Sequence, residues 1–308
     1  MTPKGSELRV GIDLGGTAIK AGTVTLEGEI VERRSIPADL DRGPEDLADR
    51  VANLARELDF SAALGIGVPG LLDRTGGKVI TSANLHQIDG FPLVDAVAER
   101  LGVPSALVAL ENDANVAALG EAWVGAGHSD PDFLMVTLGT GVGGGVVLGG
   151  EVITGAGGLA GEIGHICVEP GGLECGCGGR GCLETLASAT AAARRAQEAG
   201  LPPDLAIVSE QARDGDDRAR TLLVDIGRDL GRGLAAATVL LDLRVFVIGG
   251  GFGAALELLR PGIEEGLVER AYGRLASDYR ILPAELGADA GWIGAARLGH
   301  LRAQENAD

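Results

Sequence analysis

Continuous apolar segments, each stopped by glycine, are the most regular feature of the sequence. Residues 8–13 predict a buried strand, residues 14–17 a tight turn, and residues 19–25 a second strand that completes a hairpin. The same layout returns between residues 133 and 148, 124 residues further along (Asp13 to Thr137). We infer two related halves, each opening with a glycine turn that offers backbone N–H groups to a phosphate.

Apolar strands alternate with helical segments between and after these hairpins. The further predicted strands are residues 64–68, 106–110 and 245–248. The predicted helices are residues 44–58, 94–101, 116–123, 184–199, 216–238 and 291–303. This alternation predicts an α/β fold, and a length of 308 residues favours two domains.

Composition narrows the possible functions. Glycine supplies 51 of the 308 residues without a collagen repeat, which indicates tight turns and close approach of the backbone to ligands. A formal net charge of −18 opposes binding to nucleic acid or to anionic membranes. Residues 133–150 carry no charge, but their glycine content favours a hairpin over a membrane span. Residues 1–7 lack the apolar stretch of a signal peptide, so we expect a cytoplasmic protein.

Several glycine-rich segments are candidate nucleotide sites. Gly139, Gly141 and Gly144 match the dinucleotide fingerprint, but a strand follows them instead of the helix that the fingerprint requires. The segment 249–254 does lie between a strand and a helix, and it fits either a dinucleotide or an adenosine moiety. The P-loop pattern is absent from the sequence. Asp13, at the end of the first strand, is positioned to hold Mg²⁺ through water.

A polar segment follows the strand that ends at Leu110. Asp113 there is open to two interpretations. It is a good helix N-cap for the segment that begins near Val116, and it is also placed as a general base at the carboxyl end of a strand.

One histidine and three cysteines form a zinc-type set: His165, Cys175, Cys177 and Cys182. The glycines between the cysteines permit the tight folding that such a site needs. Four protein ligands close a tetrahedral site, so we expect a structural zinc ion. Cys167 lies outside the set and is expected to be a core cysteine, whereas Glu184 is expected to be positioned by the zinc loop.

Taken together and in this order, the segments 13–17, 111–115, 161–165 and 175–184 resemble the ROK family of sugar kinases. The resemblance extends from about residue 8 to residue 303. It implies an actin-like fold, in which two ribonuclease-H-like domains enclose ATP in a cleft. The small domain would take residues 1–118 with the helix 291–303 packing back on it, and the large domain residues 119–290.

The resemblance also implies roles for individual residues. The residues of the first phosphate loop would be Asp13, Gly15, Gly16 and Thr17, and the residues of the second would be Thr137, Gly139, Thr140 and Gly141. The residues of the adenosine loop would be Gly249, Gly250 and Gly251. The sugar-binding positions are Gly70, Asn84, Asn112, Asp113, Glu162, His165 and Glu184. Asp113 would be the base for the 6-hydroxyl, and His165 would use one ring nitrogen for zinc and the other for the sugar.

The implied reaction is phosphorylation of glucose at the 6-hydroxyl by MgATP. Kinases for N-acetylmannosamine, N-acetylglucosamine or fructose remain open, and so does polyphosphate as the donor. A catalytically silent sugar sensor is another alternative, which the presence of both Asp13 and Asp113 disfavours. A nicotinamide enzyme is a more distant alternative. The resemblance implies a homodimer or a higher homo-oligomer.

Overall fold

The computed structural model describes residues 8–82 and 85–306. These residues form two compact units. The first contains the described residues of the ranges 1–129, 151–160 and 288–308, and the second contains residues 130–150 and 161–287. No helix among the described residues is long and apolar enough to cross a membrane.

The strands, in chain order, are β1 (Leu8–Leu14), β2 (Ala18–Thr25), β3 (Ile30–Pro37), β4 (Leu64–Val68), β5 (Leu71–Asp73), β6 (Lys78–Thr81), β7 (Val108–Asn112), β8 (Phe133–Leu138), β9 (Val142–Leu148), β10 (Glu151–Ile153), β11 (Val245–Gly249) and β12 (Arg280–Pro283). The helices are α1 (Pro44–Glu57), α2 (Leu93–Leu101), α3 (Asp113–Val124), α4 (Glu184–Ala187), α5 (Ala189–Glu198), α6 (Leu205–Asp214), α7 (Asp217–Leu241), α8 (Leu256–Arg270) and α9 (Ala290–Glu305).

A mixed sheet with the order β3-β2-β1-β4-β7 forms the centre of the first unit. β1, β2 and β3 are antiparallel neighbours, whereas β1, β4 and β7 run parallel. Every residue of β4 is buried, as expected for a central parallel strand whose two faces are both covered. The carboxyl ends of β1, β4 and β7 therefore meet at one edge of the sheet, where Asp13 and Asn112 lie.

The second unit repeats this arrangement around β8. Its strands lie in the order β9-β8-β11-β12, with β8 antiparallel to β9 and parallel to β11. β8 thus occupies the place that β1 has in the first unit, and each is joined to its antiparallel neighbour by a three-residue turn, 15–17 or 139–141. The predicted α/β class and the predicted pair of hairpins are confirmed.

Several elements differ from the sequence-based expectations. The single helix expected over residues 184–199 is divided into α4 and α5 at Ser188, whose hydroxyl accepts a hydrogen bond from Ala191 N at 3.0 Å and starts the second helix. β3 was not predicted, because its sequence IVERRSIP is charged and it lies at the edge of the sheet. The helix α6 was also missed.

The last helix, α9, packs on the first sheet at backbone distance. A Cβ atom added at Gly11 of β1 would lie 1.9 Å from Trp292 O, and one at Gly65 of β4 would lie 1.8 Å from Ala295 O. On the side of α9 that faces α3, a Cβ atom at Gly294 would lie 1.6 Å from Val116 O. Glycine is required at all three positions because any side chain would collide with backbone atoms, which cannot move aside as a flexible side chain can.

We therefore expect the substitution Gly65→Ala to lower the free energy of unfolding by about 3 kcal/mol, at the upper end of the usual cost of overpacking. Chemical denaturation measures this change. Gly157→Ala is the matched control, because a Cβ atom at that position meets nothing within 4 Å. Equal stability of the two variants would contradict the proposed backbone contact between β4 and α9.

Candidate active site

The first glycine turn joins β1 to β2 and contains Gly15, Gly16 and Thr17. Gly15 N donates a hydrogen bond to Ala18 O at 3.0 Å, and Thr17 O accepts one from Ala38 N at 2.9 Å. Gly16 and Thr17 are exposed. The turn is therefore held by its own backbone while its tip remains accessible to a ligand.

Asp13 precedes this turn and is half-buried. Burial first, and the negative charge of Asp113 second, raise the pKa of Asp13 to about 7, while Lys20 acts in the opposite direction. Lys20 lies opposite Asp13 in the register of β1 and β2. A Cβ atom at Gly291, in the first turn of α9, would lie 2.6 Å from Asp13 Oδ2, so glycine leaves room for this carboxylate. A carboxyl group whose pKa is raised in this way is a candidate cation ligand.

Asn112, at the end of β7, is the N-cap of α3. Its Oδ1 accepts hydrogen bonds from Ala114 N at 2.9 Å and Asn115 N at 3.3 Å, and its Nδ2 donates to Gly70 O at 3.2 Å. The interpretation of Asp113 as the N-cap is therefore wrong, because Asn112 performs that role one residue earlier. Asp113 is the first residue of α3, and its Oδ1 accepts a hydrogen bond from Ala114 N at 2.9 Å.

Gly70 lies in a loop whose backbone conformation allows only glycine at this position. Its φ is +119°, and a Cβ atom would lie 2.4 Å from Thr81 O. Its carbonyl is thereby fixed as the acceptor for the Asn112 amide. The other predicted loop position, Asn84, lies outside the described residues.

The second glycine turn is anchored to the helix α5. Gly139 O accepts a hydrogen bond from Ala189 N at 2.8 Å, and Thr140 O accepts one from Thr190 Oγ1 at 2.8 Å. Thr137 and Gly141 are partly exposed at the two ends of the turn. The predicted second phosphate loop is thus a short turn whose carbonyl groups point to α5.

The segment Gly249, Gly250 and Gly251 lies beside this second turn. Gly250 has a φ of +81°, and a Cβ atom there would lie 2.4 Å from Leu138 O. Gly251 is exposed and a Cβ atom at that position meets nothing within 4 Å. The predicted adenosine loop and the predicted second phosphate loop are therefore neighbours within the second unit.

The four predicted zinc ligands lie together in the second unit. One donor atom from each residue can be chosen so that all four lie within 4.8 Å of one another. Cys175 Sγ is 3.6 Å from His165 Nδ1, and Cys177 Sγ is 3.7 Å from Cys182 Sγ. A tetrahedron with metal–sulphur distances of about 2.3 Å has edges of about 3.8 Å. The spacing of the donors therefore fits a tetrahedral zinc ion.

Burial disfavours the ionised form of the two buried thiols in this cluster. It raises the pKa of Cys175, and burial followed by the neighbouring thiols raises that of Cys182 to about 12. A metal ion would supply the positive charge that stabilises both groups as thiolates. Cys167 is exposed, so the expectation of a core cysteine is wrong.

Glu162 and Glu184 lie next to the four predicted zinc ligands. His165 Nε2 lies 3.9 Å from Glu162 Oε2, on the ring edge away from Cys175. Burial raises the pKa of Glu162, His165 lowers it and Glu184 raises it. Glu184 Oε2 accepts a hydrogen bond from Val142 N at 3.0 Å, which ties Glu184 to the strand that follows the second turn.

The predicted residues thus form one polar set in each unit. The first consists of Asp13, the turn 15–17, Gly70, Asn112 and Asp113. The second consists of Thr137, the turn 139–141, the loop 249–251, the four predicted zinc ligands, Glu162 and Glu184. Sequence reasoning missed Lys20, Gly291, Glu111 and Arg74. The register of the first hairpin could have identified Lys20, and Glu111 begins the segment 111–115 that carries the resemblance, but nothing local in the sequence points to Gly291 or Arg74.

Comparison with known proteins identifies relatives along nearly the whole chain. A family model described as the ROK family matches residues 9–302. The chain is 36% identical to a glucokinase of Thermotoga maritima, over 94% of this chain and 96% of that protein. It is 35% identical to an N-acetylmannosamine kinase of Escherichia coli, over 93% of this chain and 96% of that protein.

A solved structure extends the similarity to the fold. The crystal structure of a ROK family glucokinase from Streptomyces griseus in complex with glucose and AMPPNP has a TM-score of 0.79 and 35% identity, over 96% of this chain and 100% of that chain. The predicted actin-like, duplicated α/β fold is confirmed by this match.

The raised pKa of Asp13 predicts a specific effect on stability. Because the native state binds the proton more tightly than the unfolded state, the stability of the ligand-free protein falls as the pH rises from about 4 to about 7. We expect Asp13→Asn to be more stable than the unaltered protein at pH 8 by at least about 1 kcal/mol, and equally stable at pH 4.

Urea denaturation at the two pH values measures this difference. Asp41→Asn, at an exposed position, is the control and should leave the pH dependence as it is. A constant difference between the Asp13→Asn variant and the unaltered protein at both pH values would contradict the prediction.

Proposed function

The chain belongs to the ROK family, and within it we propose that the protein is an ATP-dependent glucokinase that phosphorylates the 6-hydroxyl of glucose. The similarity to glucokinases over nearly the full length supports this assignment. The observation that carries the chemistry is the electrostatic interaction between Asp13, near the carboxyl end of β1, and Asp113, which directly follows β7 of the same sheet. Two interacting carboxylates suit a cation on one and a proton transfer to the other.

We assign the proton transfer to Asp113. Its carboxylate accepts the proton of the sugar 6-hydroxyl while the O6–phosphorus bond forms and the bond to the β–γ bridging oxygen of ATP breaks, leaving ADP. Asp13 would hold Mg²⁺ beside the first turn, and the ion, when bound, would supply positive charge to the phosphates. Its charge would also counter the two effects that raise the pKa of Asp13, which are burial and the neighbouring Asp113.

The remaining residues bind and orient the two substrates. Backbone groups of the turns 15–17 and 139–141 contact the phosphates, and the loop 249–251 receives the adenosine. The sugar hydroxyls are held by Asn112, Glu162, His165 and Glu184, with Gly70 and Asn84 as nearby loop positions. Positioning of this kind accounts for most of the rate enhancement expected in phosphoryl transfer.

We propose that His165, Cys175, Cys177 and Cys182 hold a structural zinc ion. The fit of the donor spacing to a tetrahedral ion supports this site. The zinc loop lies against Glu184, since Cys175 Sγ is 3.8 Å from Glu184 Oε1. Free thiols in a metal site require a reducing compartment, which supports the expected cytoplasmic location.

We expect about one zinc ion per chain in the purified protein and loss of that ion in Cys177→Ser, together with a lower melting temperature and weaker glucose binding. Elemental analysis and thermal denaturation measure both effects. Cys167→Ser is the matched control, because it makes the same change at an exposed cysteine outside the cluster. Full zinc content in Cys177→Ser, or no zinc in the unaltered protein, would disprove the site.

The alternatives differ from this proposal in substrate or in class. The similarity to an N-acetylmannosamine kinase makes the N-acetyl sugars the first alternative acceptors. Fructose is a further alternative acceptor. A sugar sensor is disfavoured because it needs neither Asp13 nor Asp113. Polyphosphate is a possible donor in place of ATP.

With MgATP as the donor, we expect glucose to have a higher kcat/KM than mannose, fructose, N-acetylglucosamine and N-acetylmannosamine. Sugars altered at the 3- or 4-hydroxyl should be poor substrates, because polar groups built to pair with a hydroxyl are left unpaired when it is missing. A coupled assay across this panel, repeated with polyphosphate, decides the acceptor and the donor. Preference for an N-acetyl sugar would contradict the glucokinase assignment but keep the kinase.

The variant Asp113→Asn tests the proposed role of Asp113 as the general base in the same assay. The new amide oxygen can still accept the hydrogen bond from Ala114 N, and the cap stays with Asn112. Glucose binding should therefore remain while kcat falls by about 10² or more, as expected when a general base is removed.

We further propose that the protein forms a homodimer. Exposed apolar side chains at the end of α7 and just after α8 support self-association: Leu240 is 77% exposed, Tyr272 97% and Leu275 64%. The ion pair between Asp242 and Arg274, at 2.7 Å, shows that these segments are neighbours. Sedimentation equilibrium should give twice the chain mass at micromolar concentration, and Leu240→Lys should shift it towards the monomer; a monomeric unaltered protein would contradict the proposal.

A further inference from the structure

An ion pair between a buried carboxylate, Glu111, and a partly buried arginine, Arg74, adjoins the segment that carries Asp113. Glu111 is 7% exposed, and its Oε2 lies 3.4 Å from the NH1 group of Arg74. Its other oxygen, Oε1, accepts hydrogen bonds from Asn112 N at 2.8 Å and from Asn115 Nδ2 at 3.0 Å. One oxygen of the Glu111 carboxylate thus binds the junction of β7 and α3, and the other oxygen pairs with Arg74.

This network fixes the residues on both sides of Asp113. Asn115 is 2% exposed and sits in the first turn of α3, while Asn112 caps that helix. Arg74, in the turn between β5 and β6, also reaches Thr154 O at 3.5 Å. Glu111 therefore connects β7 to the first turn of α3, and Arg74 connects Glu111 to the β5–β6 turn and to residue 154.

The charge of Glu111 also needs neutralisation at this place. Asp113 already shares the site with Asp13 on β1, and Lys20 on β2 is the cation opposite Asp13. A further unneutralised carboxylate two residues before Asp113 would add to the negative potential there. Arg74 supplies a positive charge to Oε2 of Glu111, the oxygen that does not accept the hydrogen bond from Asn112 N.

We propose that Glu111 and Arg74 are positioning residues for the phosphoryl-transfer reaction, which hold Asn112 and Asp113 in place as a neutral pair. The proposal rests on the proposed role of Asp113 as the base. Neither Glu111 nor Arg74 needs to contact a substrate in this role. They act through the backbone of Asn112, the amide of Asn115 and the electrostatic potential at Asp113.

The acidic limb of the pH profile of kcat/KM for glucose tests this pairing, because that limb reports the protonation of the base in the free enzyme. Glu111→Gln removes a negative charge and should move the limb to lower pH by about half a unit, while Arg74→Met should move it to higher pH by a similar amount. The double variant should return the limb towards its original position. Glu111→Gln should also lower kcat by about tenfold or more, with KM for ATP changed by less than about twofold.

Two controls separate this effect from a loss of folding or of net charge. Arg74→Lys keeps the charge and should keep the limb at its original pH, and it provides the test of Arg74 should Arg74→Met fail to fold. Arg33→Met changes the net charge equally but removes an exposed ion pair with Asp289, so the limb should not move.

Shifts of the acidic limb in opposite directions in Glu111→Gln and Arg74→Met support the proposal. If the unaltered enzyme is active and the limb lies at the same pH in all variants, the proposal is overturned. Absence of glucose phosphorylation by the unaltered protein would instead overturn the proposed function.

Discussion

The contact of α9 with β1, β4 and α3 at backbone distance is the constraint on which the candidate catalytic site of the first unit depends. Glycine at positions 11, 65 and 294 removes the side chains that would hold these elements apart. Because α9 touches both β1, which ends near Asp13, and α3, which begins at Asp113, one helix locates both carboxylates. Gly291 extends the same principle, since its missing side chain leaves room for the Asp13 carboxylate.

Close placement of the two carboxylates has an electrostatic cost. Burial, and then the negative charge of Asp113, raise the pKa of Asp13 to about 7, so an ionised Asp13 lowers the stability of the ligand-free protein above that pH. The close backbone contacts of α9 hold the surrounding elements in place in spite of this cost. An enzyme that holds Mg²⁺ next to a base has this conflict by design, because the groups that attract the ion repel each other when it is absent.

Features that depend on short stretches of sequence were predictable, whereas features that depend on distant contacts were not. The glycine turns and the central strands follow from continuous apolar segments, and the cysteine cluster follows from spacing alone. One of the two interpretations of Asp113 made it the N-cap, which is Asn112 in the structure, because two adjacent residues that both cap helices well cannot be ordered without the backbone. Cys167 was expected in the core, but only the structure shows that it is exposed. Arg74 lies 37 residues before Glu111, and no local pattern connects them.

The second unit uses side chains where the first uses backbone packing. Glu184 accepts a hydrogen bond from Val142 N, and a Cβ atom at Gly141 would lie 2.3 Å from Glu184 Oε2, so the carboxylate lies against the end of the second glycine turn. Its other oxygen faces Cys175 of the cysteine cluster. Any change in the position of the cysteine loop would therefore move Gly141, at the end of the turn proposed to bind the phosphates, and Val142, which begins β9. A structural metal ion at this cluster would thus hold Glu184, which we propose to bind the sugar, and the proposed phosphate loop in a fixed relation without taking part in the chemistry, because its four protein ligands leave no position open for a substrate.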